Sequence, residues 1–341
     1  MPRFWMISLR DNGGVGTNRN KSGPTYWVSD NEDTSQIANW KRIPFNQFRK
    51  AVIDACKEFP DLPQNQHQDE KHLALVVHGY NNPWQNSVGL YRTVNDRLFA
   101  GDNGLGICVL LTWPSKGAPY DYLADRDDVR ECANDLADIL TELYQVLSQN
   151  QIRAAKDPNA ACKAKVSIIT HSMGNFLVQV GMYHLWQRIN SPLGLSLVNQ
   201  LLMIAADVDN DIFDLCTTTG DGDGEGIANL AYRITAFYTG LDPVLAVSAG
   251  LKHFLKRRLG RSGLDRTMGN GHTPTPDNVW DTDCTEFFDG IPASEIHGAY
   301  FAKDRDKAWK LMEQVLRGID RGILVKTGVA SPNSWWANKA Q

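Results

Sequence analysis

From residue 73 onward, short apolar runs alternate with longer segments whose apolar residues recur at helical spacing, and few folds accommodate that order. The runs at residues 73–77, 107–111, 166–169, 201–205 and 234–238, with a brief one at 279–280, have the length of buried strands. Between them, residues 87–99, 128–147, 175–188 and 243–259 read as helices, and 305–319 closes the series. Strands that are apolar throughout are buried on both faces. The pattern therefore predicts a mainly parallel sheet covered by helices on both sides and joined by right-handed crossovers. In such sheets chemistry sits in the loops at the carboxyl ends of the strands.

Upstream, residues 3–9 and 25–29 are strand-like and flank a Gly- and Asn-rich run from 11 to 23. This predicts an N-terminal antiparallel pair with a long, mobile connection. Gly13, Gly14 and Gly16 lie in that run, but no P-loop lysine follows and no helix opens there, which favours a turn over a phosphate cradle. Phe45, Phe48, Val52, Ala55, Cys56 and Phe59 fall at helical spacing and predict an amphipathic helix before Pro60. The 341 residues read as one α/β domain, with a core at 73–320, an N-terminal extension over 1–60 and a polar tail from 330 carrying Trp335 and Trp336.

A net charge of -4 gives no electrostatic reason to expect nucleic acid or an anionic membrane surface as partner. The basic segment with Lys252, Lys256, Arg257, Arg258 and Arg261 reads as a solvated helix end. Six cysteines without C-x-x-C spacing argue against a disulfide framework or structural zinc. The apolar patch at residues 4–9 is too short for a signal-peptide core, and no run of about 18 apolar residues occurs, so a cytoplasmic protein is expected.

Residues 166–175 read Val-Ser-Ile-Ile-Thr-His-Ser-Met-Gly-Asn, an apolar strand that runs into Ser172 and then into a helix. A serine hydroxyl is a poor nucleophile unless a sharp strand-to-helix turn exposes it beside a base, with a helix N-terminus beneath it. Gly174 supplies the small residue this turn needs, whereas Thr170 stands where the usual motif has a second glycine. A second motif, Leu-Ala-Leu-Val-Val-His-Gly-Tyr-Asn-Asn at residues 73–82, is a buried strand ending in His78 and Gly79.

These motifs resemble the α/β-hydrolase superfamily, in particular a bacterial esterase- or lipase-like branch in which His-Ser-Met-Gly-Asn is a recurring elbow. The resemblance covers residues 73–301. It implies Ser172 as nucleophile and the backbone N–H groups of Tyr80 and Met173 as oxyanion-hole donors. Of the eight histidines, His67 and His72 precede the first core strand, His184 and His253 lie on helices, and His78 and His171 belong to the two turns. His272 and His297 remain. Chain order, and the likeness of residues 296–301 to the base loop of the esterase-like branch, favour His297. Asp242, just past the strand at 234–238, fits best as the acid that orients the base, and the competing reading, a cap for the helix beginning at Pro243, is compatible with it. Asp207 and Asp209 are the runners-up.

Trp84, Trp113, Tyr120 and Tyr122 follow strand ends and, with His171, are candidates for the substrate pocket. The segment 114–127 is too short for a large lid, so a modest pocket for small or medium esters is expected. The acidic run at residues 220–226 alternates like a calcium loop but lacks the later bidentate glutamate and reads as a solvated loop. No H-E-x-x-H pairing appears. The expectation is a cofactor-free hydrolase of a small-molecule carboxylic ester. A thioesterase or amidase with the same triad, or a non-catalytic binding module, are the alternatives.

Overall fold

The computed structural model describes residues 2–60, 69–115, 122–154, 156, 164–214, 224–252, 256–266 and 275–331. Among the described residues, nine strands form one sheet in the order β3-β2-β1-β5-β4-β6-β7-β8-β9. They are β1 (Phe4–Ser8), β2 (Thr25–Ser29), β3 (Lys41–Ile43), β4 (Lys71–Val77), β5 (Gly106–Thr112), β6 (Ala164–His171), β7 (Val198–Ile204), β8 (Ala231–Tyr238) and β9 (Val279–Asp283). The first three pair antiparallel, and β1 joins the rest through a parallel contact with β5. From β5 to β9 every pairing is parallel, so all those strands deliver their carboxyl ends to one edge.

Helices α1 (Phe45–Lys57), α2 (Trp84–Val94), α3 (Tyr122–Ala154), α4 (Gly174–Arg188), α5 (Glu225–Leu230), α6 (Pro243–Val247), α7 (Leu259–Ser262), α8 (Asp306–Leu316) and α9 (Arg321–Lys326) complete the fold. Because successive side chains of a strand point to opposite faces, the sheet divides two cores. Trp5, Ile7, Val109, Leu111 and Ile168 pack on one side with α1, α3 and α4. Phe4, Met6, Cys108, Leu110 and Ile169 pack on the other with α2 and α8. Full burial of such a side chain contributes about 1.5–3 kcal/mol, which is why the apolar runs predict the sheet so well. Among the described residues no helix is long and apolar enough to cross a membrane.

Expectations for the N-terminal connection, one helix and one basic residue need correction, and one strand is added. The connection at residues 11–23 is tied down rather than loose, with Asn20 N–H donating to the Leu9 carbonyl at 2.8 Å and Asp11 N–H to the Asn18 carbonyl at 2.9 Å. The helix expected at 243–259 breaks into α6, a π turn at Ser248–Lys252 and α7. Its break has an electrostatic cause. Arg258 is extended, 1% exposed, and inserts its guanidinium between Asp207 and Asp209, so this one residue departs from the expected solvated helix end, whereas Lys256 and Arg257 are exposed. Finally, β3 adds an edge strand too polar and short to be read from periodicity.

Candidate active site

β6 ends at His171, and Ser172 follows in the left-handed region at φ 52° before α4 begins at Gly174. For a residue with a Cβ this conformation costs of order 1–3 kcal/mol and persists only where its surroundings enforce it. Here they do. Ser172 N–H donates to the Ile204 carbonyl at 3.0 Å, and the Ser172 carbonyl accepts from the N–H groups of Asn175 at 3.1 Å and Asp207 at 3.2 Å and from Asn175 Nδ2 at 3.0 Å. The buried hydroxyl of Thr170 meets Asn175 Oδ1 and the Leu202 carbonyl, the latter at 2.9 Å. Thr170 thus supports the turn from below, where the usual motif has glycine.

Two glycines let this turn meet the one after β4. A Cβ at Gly174 would collide with the His78 carbonyl, and a Cβ at Gly79 would fall 2.5 Å from Ser172 Cβ and 3.0 Å from the His171 carbonyl. The two turns are therefore in direct backbone contact. Larger residues at either position would force them apart.

His297 lies in a 3₁₀ segment, Ala293–Phe301, after β9, and Asp242 follows β8 at the start of α6. Ser172 Oγ is 2.9 Å from His297 Nε2, and His297 Nδ1 is 2.7 Å from Asp242 Oδ2. Asp242 is fully buried, and its other oxygen accepts from Leu245 N–H at 3.0 Å. One carboxylate thus both faces the imidazole and caps a helix. Asp242 Oδ2 can only accept while ionised, which places the imidazole proton on Nδ1 and leaves Nε2 to accept from the serine hydroxyl.

The turn after β4 is held by a buried, neutral histidine. Burial, reinforced by the charge of Arg10, pushes His78 down to about 3. Its Nε2 accepts from Trp113 N–H at 3.1 Å, so Nδ1 carries the proton and donates to the Gly79 carbonyl at 2.9 Å. Asn82 Nδ2 donates to the same carbonyl at 3.2 Å and to that of Tyr80 at 3.0 Å. A trans peptide is planar, so fixing the Gly79 carbonyl turns the Tyr80 N–H to the opposite side. Met173 sits at the N-cap position of α4, with helical backbone angles.

His171 does not line an open pocket: it is 8% exposed, 4.9 Å from the His297 ring and edge-on to Phe301 at 5.3 Å. Its Nε2–H donates to the His297 carbonyl at 2.9 Å, and burial pushes its pKa down to about 3. Sequence order alone gives no sign of this brace.

Trp84 and Trp113 are corrected from pocket to core. Trp84 is 2% exposed on the α2 side of the sheet with its indole N–H on Met6 Sδ at 3.4 Å. Trp113 is fully buried and stacked on His78 at 5.2 Å. Tyr122 is also buried, its hydroxyl donating to Asp207 Oδ2 at 2.7 Å. Tyr120, His272 and most of the acidic run at 220–226 lie outside the described residues. Asp207 accepts from Arg258 Nε at 2.8 Å and Ser248 Oγ at 2.7 Å. Burial alone would raise its carboxyl, but Arg258, Ser248 and Tyr122 outweigh that and hold it below the usual carboxylate range. Asp207 and Asp209 are thus engaged by Arg258 rather than by His297.

A mostly parallel sheet with helices on both faces, and a strained serine between its central strand and a helix, defines the α/β-hydrolase fold. The chain belongs to the family described as alpha/beta hydrolase of unknown function (DUF900), whose model matches residues 61–267, more than half of the 341. His297 lies beyond the matched segment. No curated protein matches the chain. Similar solved structures include a carboxyl esterase from the mycorrhizal fungus Tuber melanosporum, at 9% identity over 92% of this chain and 87% of that one, with a TM-score of 0.40. A hyperthermophilic esterase from the archaeon Pyrobaculum calidifontis aligns at 13% identity over 73% and 76% of the two chains, with a TM-score of 0.34. An esterase from the fungus Rhizomucor miehei aligns at 10% identity over 75% and 77%, with a TM-score of 0.38. At these values the likeness carries no argument about activity.

Proposed function

We propose that the chain hydrolyses carboxylic esters through an acyl-enzyme on Ser172. The observation that carries this reading is the unbroken chain from Ser172 Oγ to His297 Nε2 at 2.9 Å and from His297 Nδ1 to Asp242 Oδ2 at 2.7 Å. Ser172 Oγ attacks the ester carbonyl as its proton passes to His297 Nε2, and the carbonyl electron pair moves onto oxygen. Collapse of this intermediate expels the alcohol, which takes the proton from His297. Water, deprotonated by the same imidazole, then attacks the acyl carbonyl, and the imidazolium returns the proton to Ser172 Oγ as the acid leaves. Asp242 keeps the imidazole in the accepting tautomer and stabilises its cation.

The charge forming on oxygen needs donors already in place, and Tyr80 and Met173 N–H are the assigned pair. The backbone contact of Gly79 with Ser172 and the fixed Gly79 carbonyl support this assignment. Leu241, Val244 and Val247, 40–51% exposed and close in sequence to Asp242, are the candidates for an apolar rim that would take a small or medium acyl or alcohol group. No step requires a cofactor. The Ser172→Ala variant should lose p-nitrophenyl ester turnover and fluorophosphonate labelling while keeping its melting temperature; undiminished turnover would refute the assignment. Running esters, thioesters and amides side by side separates esterase from thioesterase or amidase.

A further inference from the structure

Arg10, two residues beyond β1, is a fully buried arginine. Its Nε donates to the Thr112 hydroxyl at 2.7 Å, Nη1 to the Gly16 carbonyl at 3.1 Å and Nη2 to the Asn82 carbonyl at 2.7 Å, while Nη2 also faces His78 Nε2 at 3.4 Å. These partners are all neutral. Among the described residues no carboxylate hydrogen-bonds to Arg10, and Asp125 and Asp11 act on it only across space. Burial lowers its pKa to about 10, so the guanidinium stays charged at neutral pH. Burying a cation without an ion-pair partner is costly, and an apolar side chain would avoid that cost. A charge kept at such a place calls for a use.

What Arg10 holds is the turn carrying Tyr80. We infer that Arg10 is a positioning residue for the oxyanion hole, clamping the turn at residues 78–82 from the side of the N-terminal strands and setting a fixed positive charge behind it. This rests on the ester-hydrolase reading of Ser172. The clamp works through three links. Bonding the Asn82 carbonyl fixes the backbone from which the Asn82 amide reaches the Gly79 and Tyr80 carbonyls. A cation facing His78 Nε2 opposes protonation there and preserves the tautomer that bonds Gly79. The Gly16 carbonyl ties the loop between β1 and β2 to the same point, which makes the N-terminal extension a brace for the site. Negative charge appears on the substrate oxygen only as the tetrahedral intermediate forms, so preorganised donors and a buried cation lower the transition state more than the ground state.

The test uses full-length Arg10→Lys and Arg10→Met, together with Thr112→Val, a near-isosteric change that removes the Nε acceptor and with it the hydroxyl's contacts to His78 Nε2 and Ser87 Oγ, each at 3.2 Å. Each is assayed for p-nitrophenyl butyrate turnover, for inhibition by an alkyl trifluoromethyl ketone whose adduct mimics the oxyanion, and for melting temperature. The expected result is a fall in kcat/KM of about 10-fold in Thr112→Val and about 100-fold in Arg10→Met, with ketone affinity falling by the same factor and Arg10→Lys between them. The acidic limb of the pH profile should stay in place. Folded Thr112→Val and Arg10→Lys variants with unchanged kcat/KM and ketone affinity would overturn the inference, and so would losses that track only the melting temperature. Fluorophosphonate labelling of wild-type Ser172 separates the two levels: absence of labelling overturns both readings, whereas labelling with insensitive variants overturns the role of Arg10 alone.

Discussion

Replacing Asp242 by Asn separates the helix cap from the orienting role proposed for the same carboxylate. Oδ1 accepts from Leu245 N–H at 3.0 Å and an amide oxygen can do the same, so the α6 cap survives. The amide NH₂ then faces His297 Nδ1, 2.7 Å away in the wild type, and donor meets donor. The imidazole escapes by moving its proton to Nε2, which then presents a hydrogen to Ser172 Oγ and can no longer accept one. Loss of the accepting tautomer in a triad of this kind lowers kcat about 10⁴-fold, or about 5.4 kcal/mol of transition-state stabilisation. The helix cap is worth only about 1 kcal/mol, so Asp242→Asn should melt close to wild type, whereas Asp242→Ala loses both. The assay is p-nitrophenyl acetate turnover alongside calorimetric melting of both variants. If Asp242→Asn keeps more than about a tenth of the wild-type kcat, the carboxylate does not set the tautomer and the reasoning fails.

The φ of 52° at Ser172 implies stored strain. Ser172→Gly and Ser172→Ala should both be inactive, with the glycine variant more stable by about 1 kcal/mol in urea titration; an equally stable alanine variant would show that the elbow is not strained. Buried neutral histidines make the fold acid-sensitive. Burial holds His72 at about 4 and His78 and His171 at about 3, all below the ordinary 6.5. The unfolded chain therefore takes up protons first as acid is added. Stability present above pH 6.5 is lost progressively toward pH 4 for His72 and pH 3 for His78 and His171, by roughly 2 kcal/mol per histidine at pH 5. Urea midpoints at pH 7 and pH 5 measure this, and coincident midpoints would contradict it.

The central strands were legible because their information is local: runs such as residues 107–111 have no polar side to place at a surface. The elbow was legible because a serine between a strand and a small residue has few structural uses. What escaped the sequence depends on non-local electrostatics. Arg258 sits in a segment of helical period, yet Asp207 and Asp209, some fifty residues earlier, draw it inward and break the helix. Trp84 and Trp113 follow strand ends as pocket residues do, but the sheet has two deep cores, and large aromatic rings fill them. Arg10 gave no signal, because a charged residue after a strand ordinarily faces water.

The edge strand β3 bears on how the sheet behaves toward other chains. An open sheet edge presents unpaired backbone groups on which a further strand can add. Here that edge is three residues long, and Lys41 and Arg42 are both exposed. A passing strand would find little backbone to pair with and would have to approach two positive charges. Substituting Val or Thr at these positions would remove that deterrent and leave a β-prone edge open to self-addition. The short cationic strand thus works as a terminator, ending a nine-stranded assembly that would otherwise remain competent to grow.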